Sequence, residues 1–113
     1  MAIPQLERKQ IERDLRAYCD DIPEDARHQV RLEFSIHGSS IELFEERVRW
    51  DKADEWFKLP IAKFRYNASR ALWELFCMHR DLKWHKYEPM PTAGRFGILL
   101  AEVERDPTNI FWG

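Results

Sequence analysis

Cysteine, glycine and long apolar segments are scarce in this sequence. Its 113 residues include two Cys and four Gly, and no apolar run approaches the roughly 20 residues of a membrane-spanning helix. Cys19 and Cys77 lack the close spacing of a zinc or redox pair, so we expect two reduced, buried thiols and no disulfide. The N-terminal segment MAIPQLERKQ has no signal-peptide core. These features predict a cytoplasmic protein without a membrane segment.

Neither sign of charge is in large excess. The chain carries 18 Lys and Arg and 20 Asp and Glu, for a formal net charge of −2. This balance excludes a basic footprint over the whole domain but is compatible with a local basic patch. The 44% of hydrophobic residues, with five Trp, seven Phe and three Tyr, is typical of a globular domain with an aromatic-rich core. The length fits one domain, residues 1–113.

The stretch Ile61–Tyr87 is the centre of the predicted fold. It is rich in aromatic residues, contains no Gly or Pro, and has the chemistry of three antiparallel strands. The segment Asn67–Arg70 suits the first turn, which would place Phe64 opposite Trp73. The segment Ala71–His79 is apolar at successive positions, and we therefore expect a central strand that is covered on both faces.

A second hairpin precedes this block. Residues His28–Ser40 alternate between apolar and polar side chains, and Gly38-Ser39 suits a type II′ turn. That turn fixes the register of the return strand, Ser40–Trp50, and the register places Glu45 on the apolar side. We favour a β-bulge near Glu45 over a sheet that is apolar on both faces there.

Two helices flank the strands. Apolar residues at three- to five-residue steps predict a helix over Pro4–Ile22, with Leu6 in its buried stripe. A second helix is predicted over Thr92–Arg105, with Thr92 as its cap and Glu102 on its outer face. Together the elements predict an α+β fold. It has a five-stranded, mainly antiparallel sheet of two hairpin units, with an N-terminal and a C-terminal helix packed on it.

One further segment joins the two hairpins. The composition of Asp51–Leu59 is compatible with a helix, and it contains one amphipathic turn. We interpret it as a short helix or wound loop that lays Trp56 on the core.

Six phrases of the sequence resemble a known family. They are LFEERVRW at 43–50, IAKFRY at 61–66, WELF at 73–76, RDLKWHKY at 80–87, LLAEVERDP at 99–107 and the terminal IFWG. In combination, over nearly the whole chain, they resemble the bacterial domain-of-unknown-function family numbered three thousand and twenty-four. Because no activity is assigned to that family, the resemblance implies no catalytic residue and no cofactor.

A basic–aromatic surface is the first candidate site. Its residues lie on the predicted central strands and their turns: Lys63, Arg65, Asn67, Arg70, Lys83, Trp84, His85 and Lys86. Aromatic side chains beside Lys and Arg are typical of sheets that bind single-stranded nucleic acid. We favour the competing interpretation, the solvated face of a sheet with Trp84 in the core, because aromatic residues at strand spacing are usually packing residues. Glutamates such as Glu42 and Glu74 also lie on or near the same face and repel phosphate.

An ionic cluster is the second candidate. It comprises Glu45, Arg47, Lys63, Arg65 and Glu74. A carboxylate turned toward an apolar face beside Arg is typical of a ligand clamp or of a small hydrolase. A structural ion-pair network that fixes strand register, with Lys63 opposite Glu74, explains the same residues, and we favour it. The chain has no nucleophile elbow, P-loop or dinucleotide motif, so we assign no catalytic residue.

Metal binding has weak support. Cys77 and His79 share one face of a strand, and His85 or His37 could join them. The spacing places only two ligands, whereas zinc takes three or four from a protein. We therefore expect neither a metal nor a cofactor.

The C-terminal residues Ile110, Phe111 and Trp112 are apolar. They either dock on their own domain, which we favour, or add to a neighbouring subunit as an interface. Taken together, the sequence predicts a small non-enzymatic binding or scaffold module that self-associates as a homo-oligomer. The alternatives are a nucleic-acid-binding module that uses the basic–aromatic surface and a small hydrolase that uses the ionic cluster.

Overall fold

The chain forms an antiparallel β-sheet with both helices on one face. The computed structural model describes residues 3–21, 30–52 and 54–112. Within them the elements are α1 (Gln5–Cys19), β1 (Val30–His37), β2 (Ser40–Val48), β3 (Trp56–Asn67), β4 (Leu72–Met78), β5 (Trp84–Lys86), β6 (Thr92–Ala93) and α2 (Phe96–Arg105). The strand order is β1-β2-β3-β4-β5, and β6 also pairs with β4. The predicted α+β fold is confirmed.

Parts of the predicted elements lie outside the described residues, namely the helix end at Ile22, the strand start at His28 and the terminal Gly113. Neither α1 nor α2 is long and apolar enough to cross a membrane.

Helix α1 buries a stripe with a four-residue repeat. Ile11, Leu15 and Cys19 are buried on this stripe. Residue 7 occupies the inward position one repeat before Ile11, so Glu7 faces the sheet. Leu6 is turned away and is 86% exposed. The prediction of Leu6 as a core residue is wrong, because a repeat of four that is counted back from Ile11 passes through residue 7 and not residue 6.

The β1–β2 hairpin has the register that its turn predicts. Gly38 adopts a φ of 59°, as the first central position of a type II′ turn needs, and Ile36 pairs with Ile41. The pairing runs unshifted along the whole of β1, which leaves Glu45 on the apolar side. The predicted β-bulge lies instead between β2 and β3, where the register shift leaves Ile61 without a partner residue.

Strand β3 starts earlier than predicted. Its first residues pair with the second half of β2, so the helix or wound loop expected over Asp51–Leu59 is wrong. Helix-compatible composition is a weak preference, and cross-strand pairing outweighs it here. Trp56 therefore lies on the sheet, away from the core, with the guanidinium carbon of Arg31 3.8 Å from its ring centroid.

The β3–β4 loop begins one residue later than predicted, at 68–71 in place of 67–70. Asn67 pairs with Leu72, and the register is displaced by two residues, so that Phe64 faces Leu75 and not Trp73. Because side chains alternate along a strand with a period of two, this displacement keeps every side chain on its predicted face. The partners predicted for this hairpin are wrong, whereas its buried face is correct.

The helices cover one face of the sheet. Phe64, Trp73 and Leu75 are fully buried there, and Phe96 of α2 lies with its ring centroid 4.7 Å from that of Phe64. On the opposite face of β4, Phe76 is only half-buried. The prediction that β4 is covered on both faces is wrong because both helices pack on the same side.

Helix α2 begins later than predicted. Residues 92–93 form β6 on β4, and Thr92 does not cap the helix. The predicted stripe is confirmed, since Phe96, Leu99, Leu100 and Val103 are all buried. Glu102 is also buried, contrary to prediction. Its carboxylate accepts hydrogen bonds from Tyr87 Oη at 2.9 Å and from the Arg105 guanidinium at 2.6 Å, so its burial leaves no oxygen unpaired.

Candidate functional site

The face of the sheet opposite the helices, the open face, carries part of the basic–aromatic surface. Lys63 and Arg65 alternate along β3 with the buried residues Ala62 and Phe64, so they point away from the helices. By register, the open face also holds the aromatic residues Phe44, Trp56, Phe76 and Trp84, the cations Arg31, Lys58 and Lys86, and the carboxylates Glu33, Glu42, Glu46 and Glu74.

Cations of the open face lie over its aromatic rings. Lys58 Nζ is 4.0 Å from the ring centroid of Phe44. The guanidinium carbon of Arg65 is 5.0 Å from the centroid of Phe76, and Lys63 Nζ is 5.9 Å from it. A ring face that is covered by a side-chain cation is not free to stack on a nucleic-acid base. The open face is therefore largely occupied by contacts within the domain.

The residues of the ionic cluster lie on two different faces. On the open face, Arg65 Nε donates a 2.9 Å hydrogen bond to the buried carboxylate of Glu74. Glu45 and Arg47 lie on the other face, where they bond each other at 3.3 Å. Lys63 pairs with a residue other than Glu74. The structure thus separates the cluster into two ion pairs and does not bring its five members together.

His85 belongs to a small exposed cluster at the β4–β5 turn. Its Nε2 lies 2.8 Å from Asp81 Oδ2, and its ring stacks on that of His79 at 4.0 Å. The hydrogen bond from His85 holds the pKa of Asp81 below its usual range. Lys83 donates its backbone N–H to the same carboxylate. Among the described residues, no group of three His, Cys, Asp or Glu is arranged to hold a metal ion.

The C-terminal residues dock on their own domain. Phe111 is buried, with its ring centroid 4.9 Å from that of Tyr87. The carboxylate of Asp106 accepts the backbone N–H groups of Phe111 at 3.1 Å and of Trp112 at 2.9 Å. The favoured interpretation of this segment is confirmed. Ile110 and Trp112 remain 39% and 38% exposed, and their role in an interface stays a prediction.

A groove between α1 and β1 was not predicted from the sequence. It has a volume of about 530 Å³ and is lined by Arg8, Lys9, Glu12, Arg13, Arg16, Phe34 and Ile36. The α1 wall thus presents four cations and one carboxylate, and the floor is formed by two half-buried apolar side chains. The signal in the sequence was the recurrence of these charged residues at steps of three and four, which also describes an ordinary solvated helix face.

Part of the positive charge in this groove is not neutralised. Arg8 bonds Glu12 at 3.0 Å, and Arg16 lies 3.5 Å from a carboxylate of β1. Arg16 also covers the ring of Phe34, 4.8 Å from its centroid. Lys9 and Arg13 form no ion pair with any residue in the described ranges. The groove therefore has an electrostatic preference for an anionic occupant.

Strand β1 runs along the groove as an edge strand. It pairs with β2 on one side, and none of the residues described in the structure pairs with its other side. In a hairpin with a two-residue loop the flanking residues form a hydrogen-bonded pair. Alternation from that pair turns the backbone N–H and C=O groups of Leu32, Phe34 and Ile36 outward. This edge and the adjacent groove, together the β1 groove site, are the candidate functional site.

Comparisons with known proteins add a family and no activity. Searches of curated proteins and of solved structures return no match. A family model described as a domain of unknown function, DUF3024, matches residues 3–113. The match spans both helices and all the strands described above, including α1 and β1 of the groove site. The chain therefore belongs to the DUF3024 family.

Proposed function

We propose that this protein is a non-enzymatic interaction module that adds an extended segment of a partner protein to edge strand β1. The outer edge of β1, which pairs with none of the residues described in the structure, is the observation that carries the proposal. The strand is 8 residues long, pairs in unbroken register with β2, and contains no Pro. Natural sheets usually protect an edge with Pro, a bulge or a short strand, because unpaired N–H and C=O groups recruit another chain. An edge that lacks these three protections, and that pairs with none of the described residues, therefore supports strand addition.

The other edge of the sheet differs in each of these respects. Strand β5 has 3 residues and β6 has 2. Pro89 and Pro91 lie between them, and Pro removes a backbone donor and limits pairing. An added strand as long as β1 would therefore find few backbone N–H and C=O groups to pair with at that edge. This asymmetry supports β1 as the binding edge.

The position of the C-terminal segment also favours this proposal over self-association through the tail. Phe111 packs inside its own domain, and the carboxylate of Asp106 accepts the backbone N–H groups of Phe111 and Trp112. Releasing the tail would expose the ring of Tyr87, which Phe111 now covers. The outward backbone groups of β1, in contrast, pair with no other strand of the described part of the chain.

Selection from a displayed library of random peptides, about as long as β1, tests the proposal. Each enriched peptide is then made in two further forms, with N-methyl groups on one or the other alternate set of residues. In a paired strand only one alternate set of N–H groups faces the neighbour. We expect one methylated form to lose about tenfold or more in affinity and the other to bind like the parent peptide.

Nuclear magnetic resonance locates the site in the same experiment. The amides of Leu32, Phe34 and Ile36 should become protected from solvent exchange when the peptide binds, because they point outward in the free protein. Equal binding by both methylated forms, or no enrichment relative to an unrelated protein, would overturn the proposal.

A further inference from the structure

The side chains beside β1 specify which kind of segment it takes. We infer that the partner segment is acidic, with carboxylates at alternate positions along an extended chain. This inference rests on the proposed function, because the alternation matters only if the segment pairs with β1. The evidence for the acidic segment is the positive charge of the groove, whereas the evidence for the proposed function is the backbone of edge strand β1.

A strand added to β1 would turn every second side chain toward α1. Side chains two apart on a strand are spaced by about 7 Å. Lys9 and Arg13 lie one helical turn apart on α1, about 6 Å along its axis. Alternate carboxylates could therefore meet these two cations one after the other. Neither cation has an ion-pair partner among the described residues, so a carboxylate that meets Lys9 or Arg13 would not displace another carboxylate of that part of the chain.

The floor of the groove adds an apolar requirement. Phe34 and Ile36 are half-buried, and Arg16 covers one face of the Phe34 ring. An apolar side chain of the partner next to Ile36 would bury surface that is now exposed to water. The segment that fits best thus combines carboxylates with apolar residues.

A second copy of this chain is a less suitable occupant. If two copies paired through β1, each would bring the same row of cations, Arg8, Lys9, Arg13 and Arg16, toward the shared edge. Like charges in close approach disfavour such an arrangement. The repulsion disfavours self-pairing through β1 and leaves that edge to a partner of opposite charge.

A single-stranded nucleic acid would pair with fewer groups of the β1 groove site than an acidic peptide would. Its phosphates could contact the cations of α1, but it would leave the outward N–H and C=O groups of β1 without strand partners. Its bases would find the ring of Phe34 already covered by Arg16. An acidic peptide meets both the charge and the backbone groups.

Three synthetic peptides, each about as long as β1, test the inference on the full chain. They alternate Val with Glu, Val with Ser, or Val with Lys, and both termini are blocked. We expect the Val/Glu peptide to bind about tenfold or more tighter than the Val/Ser peptide and the Val/Lys peptide to be the weakest. Added salt should lower the affinity for the Val/Glu peptide most, because salt screens the attraction between exposed charges.

Two matched double variants assign the effect to the groove. Lys9→Gln/Arg13→Gln removes two cations from α1, and Arg70→Gln/Lys83→Gln removes two exposed cations at turns on the far side of the sheet. Both variants have the same net charge. Only the first variant should bind the Val/Glu peptide with about tenfold lower affinity than the wild type. Circular dichroism melts establish that both remain folded, and Lys9→Gln alone serves if the double variant does not fold.

The outcomes separate this inference from the proposed function. If the Val/Ser peptide binds as tightly as the Val/Glu peptide, the acidic preference is overturned and strand addition stands. If both alternate N-methylated forms of the Val/Glu peptide bind like the parent, strand addition itself is overturned. No binding by any peptide, a dimer that the Val/Glu peptide does not dissociate, or tighter binding of a thymidine oligonucleotide through Lys9 and Arg13 would each overturn the acidic-peptide inference.

Discussion

The indole Nε1 of Trp73 donates a 2.8 Å hydrogen bond to Oε1 of Glu7, a residue 66 positions away in the sequence. Trp73 is fully buried at the centre of the covered face. The bond satisfies an indole donor that the core would otherwise leave unpaired, and it joins α1 to β4. This hydrogen bond explains why a charged residue, Glu7, lies in the apolar stripe of α1.

Replacing Glu7 tests how much this bond contributes. We expect Glu7→Ala to lower the free energy of unfolding by about 1–3 kcal/mol, because the buried indole loses its acceptor. Glu7→Gln keeps a carbonyl oxygen in place and should cost less. Urea denaturation measures both, with Glu12→Ala as the control at an exposed ion pair, where we expect less than about 1 kcal/mol. Equal losses for Glu7→Ala and Glu7→Gln would contradict this account.

The buried carboxylate of Glu102 should make stability depend on acid pH. Hydrogen bonds from Arg105 and then Tyr87 hold the pKa of Glu102 below its ordinary value of 4.5. Because the folded protein binds this proton less readily than the unfolded chain, the stabilisation is complete above pH 4.5 and is lost as the pH falls through the lower, folded pKa. We expect Glu102→Gln to cost about 1–3 kcal/mol at neutral pH.

Urea unfolding of the wild type and Glu102→Gln over a series of pH values checks this expectation. The difference between the two free energies of unfolding should narrow as the pH is lowered below 4.5. Tyr87→Phe removes one donor and keeps Arg105, so it should show a smaller loss with the same direction of pH dependence. A difference that stays constant down to the acid transition would show that Glu102 is not the titrating group.

The two hairpins show what a sequence reveals about register. The β1–β2 register was predicted correctly because Gly38 marks a two-residue turn, and a local signal suffices there. The β3–β4 loop carries no such signal. One of its two alanines, Ala71, adopts a φ of 51°, and Asn67 Oδ1 accepts a hydrogen bond from the Ser69 hydroxyl at 2.8 Å. The loop therefore spans residues 68–71, one residue beyond the turn that residue preferences assign.

The β1 groove site could not be predicted from the sequence, for a different reason. The pattern identified Phe34 and Ile36 as apolar-face residues and the charged side of α1 as exposed. A binding edge, however, is defined by which strands are neighbours, and strand order depends on pairing between distant segments. Nothing local to residues 30–37 indicates that β1 rather than β2 ends the sheet. The core could therefore be predicted, and the edge could not.

The carboxylate of Asp106 should control the C-terminal docking. Asp106 adopts a φ of 45° at the end of α2, and its two oxygens each accept one backbone N–H of the last residues. We expect Asp106→Ala to cost about 1–3 kcal/mol of unfolding free energy, since both N–H groups lose their acceptor and alanine disfavours this φ. Tryptophan fluorescence during urea unfolding measures the loss.

Removal of the tail should promote association, because it uncovers apolar surface. Deleting residues 110–113 exposes the ring of Tyr87, and we expect light scattering to show more self-association than in the wild type. The single change Trp112→Ala, at a partly exposed position, is the control and should have a smaller effect. A wild-type oligomer that the deletion converts to a monomer would instead support the tail as an interface.

The open face should bind single-stranded nucleic acid weakly or not at all. It combines five cations with four carboxylates by register, and its cations already lie over aromatic rings. We expect no salt-dependent binding of an oligonucleotide to the wild type, and a gain of such binding in Glu42→Lys/Glu46→Lys. Binding to the wild type that Arg65→Ala/Lys83→Ala weakens would favour the nucleic-acid alternative.

Both cysteines should be unreactive in the folded protein. Cys19 and Cys77 are buried and free. Burial raises the pKa of Cys19 to about 12 and also raises the pKa of Cys77. Because the thiolate is the nucleophile, and a raised pKa leaves the thiol protonated at pH 8, both should react with a disulfide reagent about a hundredfold or more slowly than in denaturant. A thiol that reacts rapidly in the native state, and that Cys19→Ser or Cys77→Ser removes, would show that its burial is incomplete in solution.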